Sequence, residues 1–355
     1  MTLALCFGFL NNYIEGYNFE RLHIFLFNLC SGGSIIILYT SRFKINNLIV
    51  IFLLIACFLY TLFAFEHSYL YSSVFAMIIF FITEYIRHKY FGSIYNFLRR
   101  IKLSTKFNHA SLLCLSIGLI ISIFAMINEH SNIFHLEKLN LNTFFLGFSF
   151  PISLITFSVI FKLIESNLGN KDLIAKIIFW VINLGVIIFF IFILIGSTLL
   201  ELIISSILSI AVLSVFIIFF KLCKNIQQKY FILSGMFFLI CTAVTGILYI
   251  LCNIYFSHNK QLLDNILAYH RFISLYGWNL SGLAVIVRFN DFPIKLNSVG
   301  VISLHWLTVA ILAPISLNST ILPPLTVTCY AIFLFLIFFS KPNKKIKINK
   351  GLKMC

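Results

Sequence analysis

Long apolar runs, separated by short polar segments, follow one another along the whole chain. Each run has about 18 to 23 residues, the length that a helix needs to cross the hydrocarbon core of a bilayer. The pattern predicts an all-α polytopic transmembrane bundle of eleven helices, over residues 22–40, 48–65, 69–86, 109–128, 142–163, 177–197, 199–220, 230–252, 267–288, 298–316 and 321–340.

Composition supports the same class of protein. Of the 355 residues, 61% are hydrophobic and 10% are charged, and the mean hydropathy is +1.02. A soluble domain carries about 25% charged residues, so this chain lacks the polar groups to cover a soluble surface. We therefore expect the bilayer to surround most of the protein.

The distribution of basic residues predicts the topology. A net charge of +15 would suit a nucleic-acid-binding protein, but 22 of the 26 Lys and Arg residues fall in alternate loops and in the C-terminal tail. Basic loops stay on the cytoplasmic side during insertion. We therefore expect an external N-terminus and a cytoplasmic C-terminus in the cytoplasmic (inner) membrane. The partners expected for the basic loops are anionic inner-leaflet lipids, and no nucleic-acid partner is expected.

The chain reads as one transmembrane domain, 1–340, followed by a basic cytoplasmic tail, 341–355. Residues 1–10, MTLALCFGFL, are apolar but too short to span a bilayer. We interpret them as an interfacial or half-inserted segment, and the alternative is the remnant of a twelfth span. No CxxC motif occurs among the nine cysteines, so a disulfide framework or a covalently attached haem is not expected.

Three histidines are candidate ligands because ionisable residues inside a membrane are costly and often functional. His23 opens the first span and His270 opens the ninth, both close to the external boundary, while His305 lies near the middle of the tenth. Imidazoles from two helices at matched depth can hold haem iron or copper. His23 and His270 are thus predicted metal or haem ligands, with His305 in support; the alternative is that interfacial histidines bond to water or lipid headgroups.

Other polar residues accompany these histidines. Asn28 lies in the first span and Asn279 in the ninth, each beside glycine and serine, so they either bond helices together or line a pocket. Arg271 could pair with a haem propionate, a lipid phosphate or Glu20. Glu201, which opens the seventh span, is a candidate for proton handling.

Motifs of other chemistries do not occur in the sequence. It contains no phosphate-binding loop, zinc-protease motif, nucleophile elbow or dinucleotide fingerprint, and no internal repeat of the kind found in many secondary transporters. Whether the protein is an enzyme is left open by the sequence.

Three blocks, RLHIFLFNLCSGG, YHRFISLYGWNLSGLAVIVRF and LHWLTVAILAP, resemble haem- and copper-bearing polytopic proteins of the NnrS type and, more distantly, the catalytic subunit of haem–copper oxidases. The resemblance implies a bundle that holds haem b or copper through helix histidines, here His23, His270 and His305. The adjacent histidine pair and the histidine–tyrosine arrangement of an oxidase copper site do not occur.

Three functions are therefore open. The first is haem or transition-metal binding in a redox or gas-response role, with Arg271 also near the cofactor. The second is a transporter or permease for a small molecule or lipid, with a path lined by Asn28, Asn279, His305 and Glu201. The third is a non-catalytic subunit of a complex with other membrane proteins.

Overall fold

The computed structural model describes residues 1–42, 45–99, 101–131, 133, 136, 138–141, 145–224 and 226–341. All secondary structure in these residues is helical. The main helices, in chain order, are α1 Thr2–Leu10, α2 Phe19–Thr40, α3 Asn47–Phe65, α4 Tyr69–Phe91, α5 Leu103–Ser131, α6 Phe145–Ile164, α7 Asp172–Ile195, α8 Thr198–Leu222, α9 Lys229–Tyr255, α10 260–287, α11 Val299–Ser316 and α12 Leu322–Phe339.

Ten of the described helices, all except α1 and α10, are long and apolar enough to cross a membrane. Their outward surfaces carry large apolar side chains such as Ile187, Leu213 and Phe237, which are about half exposed. An apolar surface of this extent suits lipid rather than water. By the length and composition of its helices, the expectation of an all-helical, multi-spanning membrane protein is confirmed.

The bundle has two faces, each held together by hydrogen bonds between different loops and helix ends. On the N-terminal face, which carries the loops after α1, α3, α5, α7, α9 and α11, the Asn12 side chain donates to the Ser316 carbonyl at 2.8 Å. On the basic face, which carries the loops after α2, α4, α6, α8 and α10, Asn167 donates to the Leu222 carbonyl at 3.0 Å.

Helix α10 runs between the same two faces, although it is too polar to resemble a span by composition. It begins at the N-terminal face, where the Asn259 side chain accepts from the Leu262 amide at 3.1 Å. Just beyond its other end, Gln228 donates to the Phe289 carbonyl on the basic face at 3.2 Å. Eleven spans and the orientation of the termini stay predictions, while the helix predicted over 267–288 is present and begins seven residues earlier.

Protein surrounds the second half of helix α10 on all sides. Every residue from 275 to 286 is buried, and the helix packs against α2, α6, α9 and α11. The apolar stretch of α2 is 72% buried, whereas that of the peripheral helix α7 is 22% buried. Polar side chains can lie within a bilayer when other helices shield them from lipid, and α10 has this position.

The short N-terminal helix α1 packs onto this bundle. Ala4, Leu5, Gly8 and Phe9 are buried against α2 and α12. Residues 342–355, which include nearly all of the predicted basic tail, lie outside the described residues.

Glycines allow the central helices to approach closely. A Cβ at Gly277 would lie 2.6 Å from the Phe238 ring on α9, and a Cβ at Gly282 would overlap the Thr156 hydroxyl on α6. Thr156 cannot turn away without losing its bond to the Ile152 carbonyl at 2.8 Å. Small residues let membrane helices gain van der Waals contact over a longer stretch.

We predict that Gly282→Ala destabilises the protein by about 1–3 kcal/mol, because the added methyl group overpacks the contact between α6 and α10. Gly300→Ala is the matched control, since nothing lies within 4 Å of a Cβ there. Thermal unfolding in detergent should show a lower midpoint for Gly282→Ala alone. Equal midpoints in the two variants would mean that α6 and α10 are not in this close contact.

Candidate functional site

Three of the central helices contain π-helical segments. They cover Leu26–Gly33 in α2, Ile273–Asn279 in α10 and Leu307–Leu312 in α11. The segments of α10 and α11 contact each other, and that of α2 packs against α6. Isolated π turns within α-helices are rare, and those that occur frequently lie at functional sites. The place where the three π segments meet is therefore the candidate site.

An amide pair, Asn28 and Asn279, joins the π segments of α2 and α10. The Asn279 Nδ2 donates to the Asn28 Oδ1 at 3.2 Å and to the Ser149 hydroxyl at 2.7 Å. The two residues are 1% and 0% exposed. The Asn28 Nδ2 and the Asn279 Oδ1 have no hydrogen-bond partner among the described residues, so one donor group and one acceptor of the pair are left over.

Hydroxyl groups of α6 complete the site. The Trp278 indole donates to the Ser153 hydroxyl at 2.8 Å, next to the bond from Asn279 to Ser149. We call Asn28, Ser149, Ser153, Trp278 and Asn279 the central polar cluster. Ser149 and Ser153 were not predicted from sequence, but with Thr156 they have the i, i+4, i+7 spacing of one helix face, which could have revealed them.

His305 lies beside this cluster and bonds to backbone. Its Nε2 lies 2.7 Å from the Tyr276 carbonyl, and since a carbonyl can only accept, Nε2 carries the proton. Its ring stacks on Phe333 with centroids 4.2 Å apart. His305 therefore has a partner in a π segment of α10.

An aromatic cap, formed by His23, Phe27, Tyr276 and Tyr330, covers the cluster toward the N-terminal face. Tyr276 lies 5.0 Å from Phe27, 5.2 Å from Tyr330 and 6.3 Å from His23, measured between ring centroids. The His23 ring is near the Phe19 carbonyl of its own helix, and its Nδ1 makes no hydrogen bond of normal geometry within the described part of the chain. Gly8 of α1 packs over this ring, where a Cβ would come within 3.2 Å of Nδ1.

His270 faces a different helix. Its Nδ1 lies 3.0 Å from the Thr242 carbonyl and 3.1 Å from the Thr245 hydroxyl, both on α9. Nδ1 is therefore the protonated nitrogen, and the ring rests against Gly246. The contacts of His270 and of His23 have no residue in common.

The remaining candidates divide between the site and its surroundings. Arg271 forms an ion pair with Glu20, which is one of the three partners considered from sequence. The ion pair connects α10 to α2 at the N-terminal face. Glu201 lies in the first turn of α8, near Lys138, and is not part of the central polar cluster.

Within the described residues, no group of three or more His, Cys, Asp or Glu side chains is placed to hold a metal ion. The structure thus joins Asn28 with Asn279 and His305 with the backbone of α10.

Searches of protein-family models, curated proteins and solved structures found no match to this chain.

Proposed function

We propose that this protein is a membrane carrier or permease and that the central polar cluster is its solute-binding centre. The observation that carries the proposal is the leftover N–H group of Asn28 and the leftover carbonyl of Asn279, both fully buried. Leaving a buried polar group without a partner costs about 1–3 kcal/mol. Both groups of this amide pair are explained if a solute bonds to them during transport.

The π segments support the same function. Transporters commonly bind their solutes near the bilayer midplane, where the regular hydrogen bonding of their helices is interrupted. Here the amide pair joins two π segments, and a carbonyl of one of them accepts from His305. The aromatic cap closes the cluster toward the N-terminal face, so in this proposal the structure is a state that is not open to that face.

We predict that a cysteine at the amide pair becomes accessible to water during the transport cycle. In a protein whose native cysteines have been replaced, Asn279→Cys should react with a membrane-impermeant methanethiosulfonate reagent added to sealed vesicles from one side or the other. Ala76→Cys in α4 is the control, because that position is also fully buried but lies outside the cluster. Mass spectrometry reports the adduct.

Labelling of Asn279→Cys alone is the expected result. If Asn279→Cys stays as unreactive as Ala76→Cys from both sides of the membrane, the cluster never opens to water and the carrier function is wrong.

Haem or metal binding is the second candidate, and the position of His270 favours it. Its Nδ1 donates to a backbone carbonyl, the arrangement that orients a ligating imidazole, and no described residue bonds to its Nε2. The rings of His23 and His270 have different neighbours in this structure, Gly8 and Tyr276 for His23 and α9 for His270, and their joint role as ligands stays a prediction. Arg271 is already neutralised by Glu20.

The cofactor candidate predicts colour or metal in the purified protein. Protein extracted in mild detergent should show a Soret band in a reduced-minus-oxidised absorption spectrum, or bound copper by elemental analysis, and His270→Ala should lose it because Nε2 is the available ligand. His258→Ala, in the loop before α10, is the matched control. A colourless, metal-free protein would exclude this candidate and leave the carrier unaffected.

A further inference from the structure

We infer that the solute of this carrier is small and uncharged and presents a hydrogen-bond acceptor and a donor side by side, as primary amides and ureas do. The inference rests on the proposed function and adds the chemical class of the solute. It follows from the polarity, the charge and the size of the central polar cluster.

The hydrogen-bonding groups define the polarity of the solute. When one amide of a pair donates to the other, the accepting amide keeps its N–H groups and the donating amide keeps its carbonyl. The Asn28 Nδ2 and the Asn279 Oδ1 are these remaining groups, both without a partner in the described structure. A primary amide offers a carbonyl to the first and an N–H group to the second, so both are satisfied by one molecule.

The charges nearby argue against an ion. Two ion pairs toward the N-terminal face are internally neutral: Arg21 with Glu129 at 3.4 Å, and Arg271 with Glu20. No described Lys, Arg, Asp or Glu side chain bonds to the cluster. Because a buried charge needs a counter-charge, an anion or a cation would be unfavourable here.

The surrounding side chains restrict the size of the solute. Phe25, Tyr60 and Phe148 pack together beside Ser149, with ring centroids 5.3 to 6.0 Å apart. These closely packed rings leave little room beside Ser149, so a solute of a few heavy atoms is favoured.

Uptake of radiolabelled acetamide into vesicles that contain the purified protein tests this inference. Acetate and acetamidinium have nearly the same shape as acetamide but carry a negative and a positive charge. We expect uptake well above that of protein-free vesicles, competition by excess unlabelled urea, and no competition by either ion.

Variants of the amide pair test the site. Asn279→Leu and Asn28→Leu should each lower protein-dependent uptake by about tenfold, the loss expected for one buried hydrogen bond. Asn183→Leu in α7 is the matched control, because among the described residues that amide bonds only to the Phe179 carbonyl of its own helix, at 2.7 Å. Elution as a single species in gel filtration shows which variants are folded, and the ion competition with the unaltered protein does not depend on them.

The outcomes distinguish failure of the proposed solute class from failure of the proposed carrier function. Competition by acetate or acetamidinium equal to that by urea would overturn the uncharged class. No acetamide uptake, together with labelling of Asn279→Cys, would refute the class and keep the carrier function. No uptake and no labelling would refute both.

Discussion

A bilayer offers no water to polar side chains, so each polar group of α10 must find its partner within the protein. This constraint determines the position of α10, because a helix that carries Trp278 and Asn279 is unfavourable against lipid. The more apolar helices surround it, and residues 275–286 are buried without exception. The least hydrophobic of the long helices is therefore a central one.

The interactions of the site follow from this position. The Asn279 amide bonds to Asn28 and Ser149, the Trp278 indole bonds to Ser153, and the Tyr276 carbonyl accepts from His305. Gly277 and Gly282 bring the neighbouring helices close enough for these contacts. Among the described residues, the Tyr276 hydroxyl, the Asn28 Nδ2 and the Asn279 Oδ1 are buried without a partner. The proposed transport function depends on the two amide groups.

Hydrophobic periodicity predicted the helices well because the length of a span and its flanking charges are local properties of the sequence. The depth of His23, His270 and His305 in the bilayer stays a prediction. The direction in which a side chain points around the helix axis could not be read from the sequence, because it depends on which neighbour packs there. His23 faces Gly8 and Tyr276 while His270 faces α9, so the two rings have different neighbours. The bond between Asn28 and Asn279 joins residues 251 positions apart, and no local pattern specifies it.

The central claim, that lipid never reaches the middle of α10, can be tested without altering the chain. A lipid-soluble diazirine probe is photolysed in vesicles that contain the protein, and its adducts are located by peptide mass spectrometry. We predict adducts on exposed positions of the peripheral helices, such as Ile187, Ile191 and Leu213, and none on residues 275–286. Adducts on 275–286 at a similar level would show that α10 faces lipid, which contradicts this account.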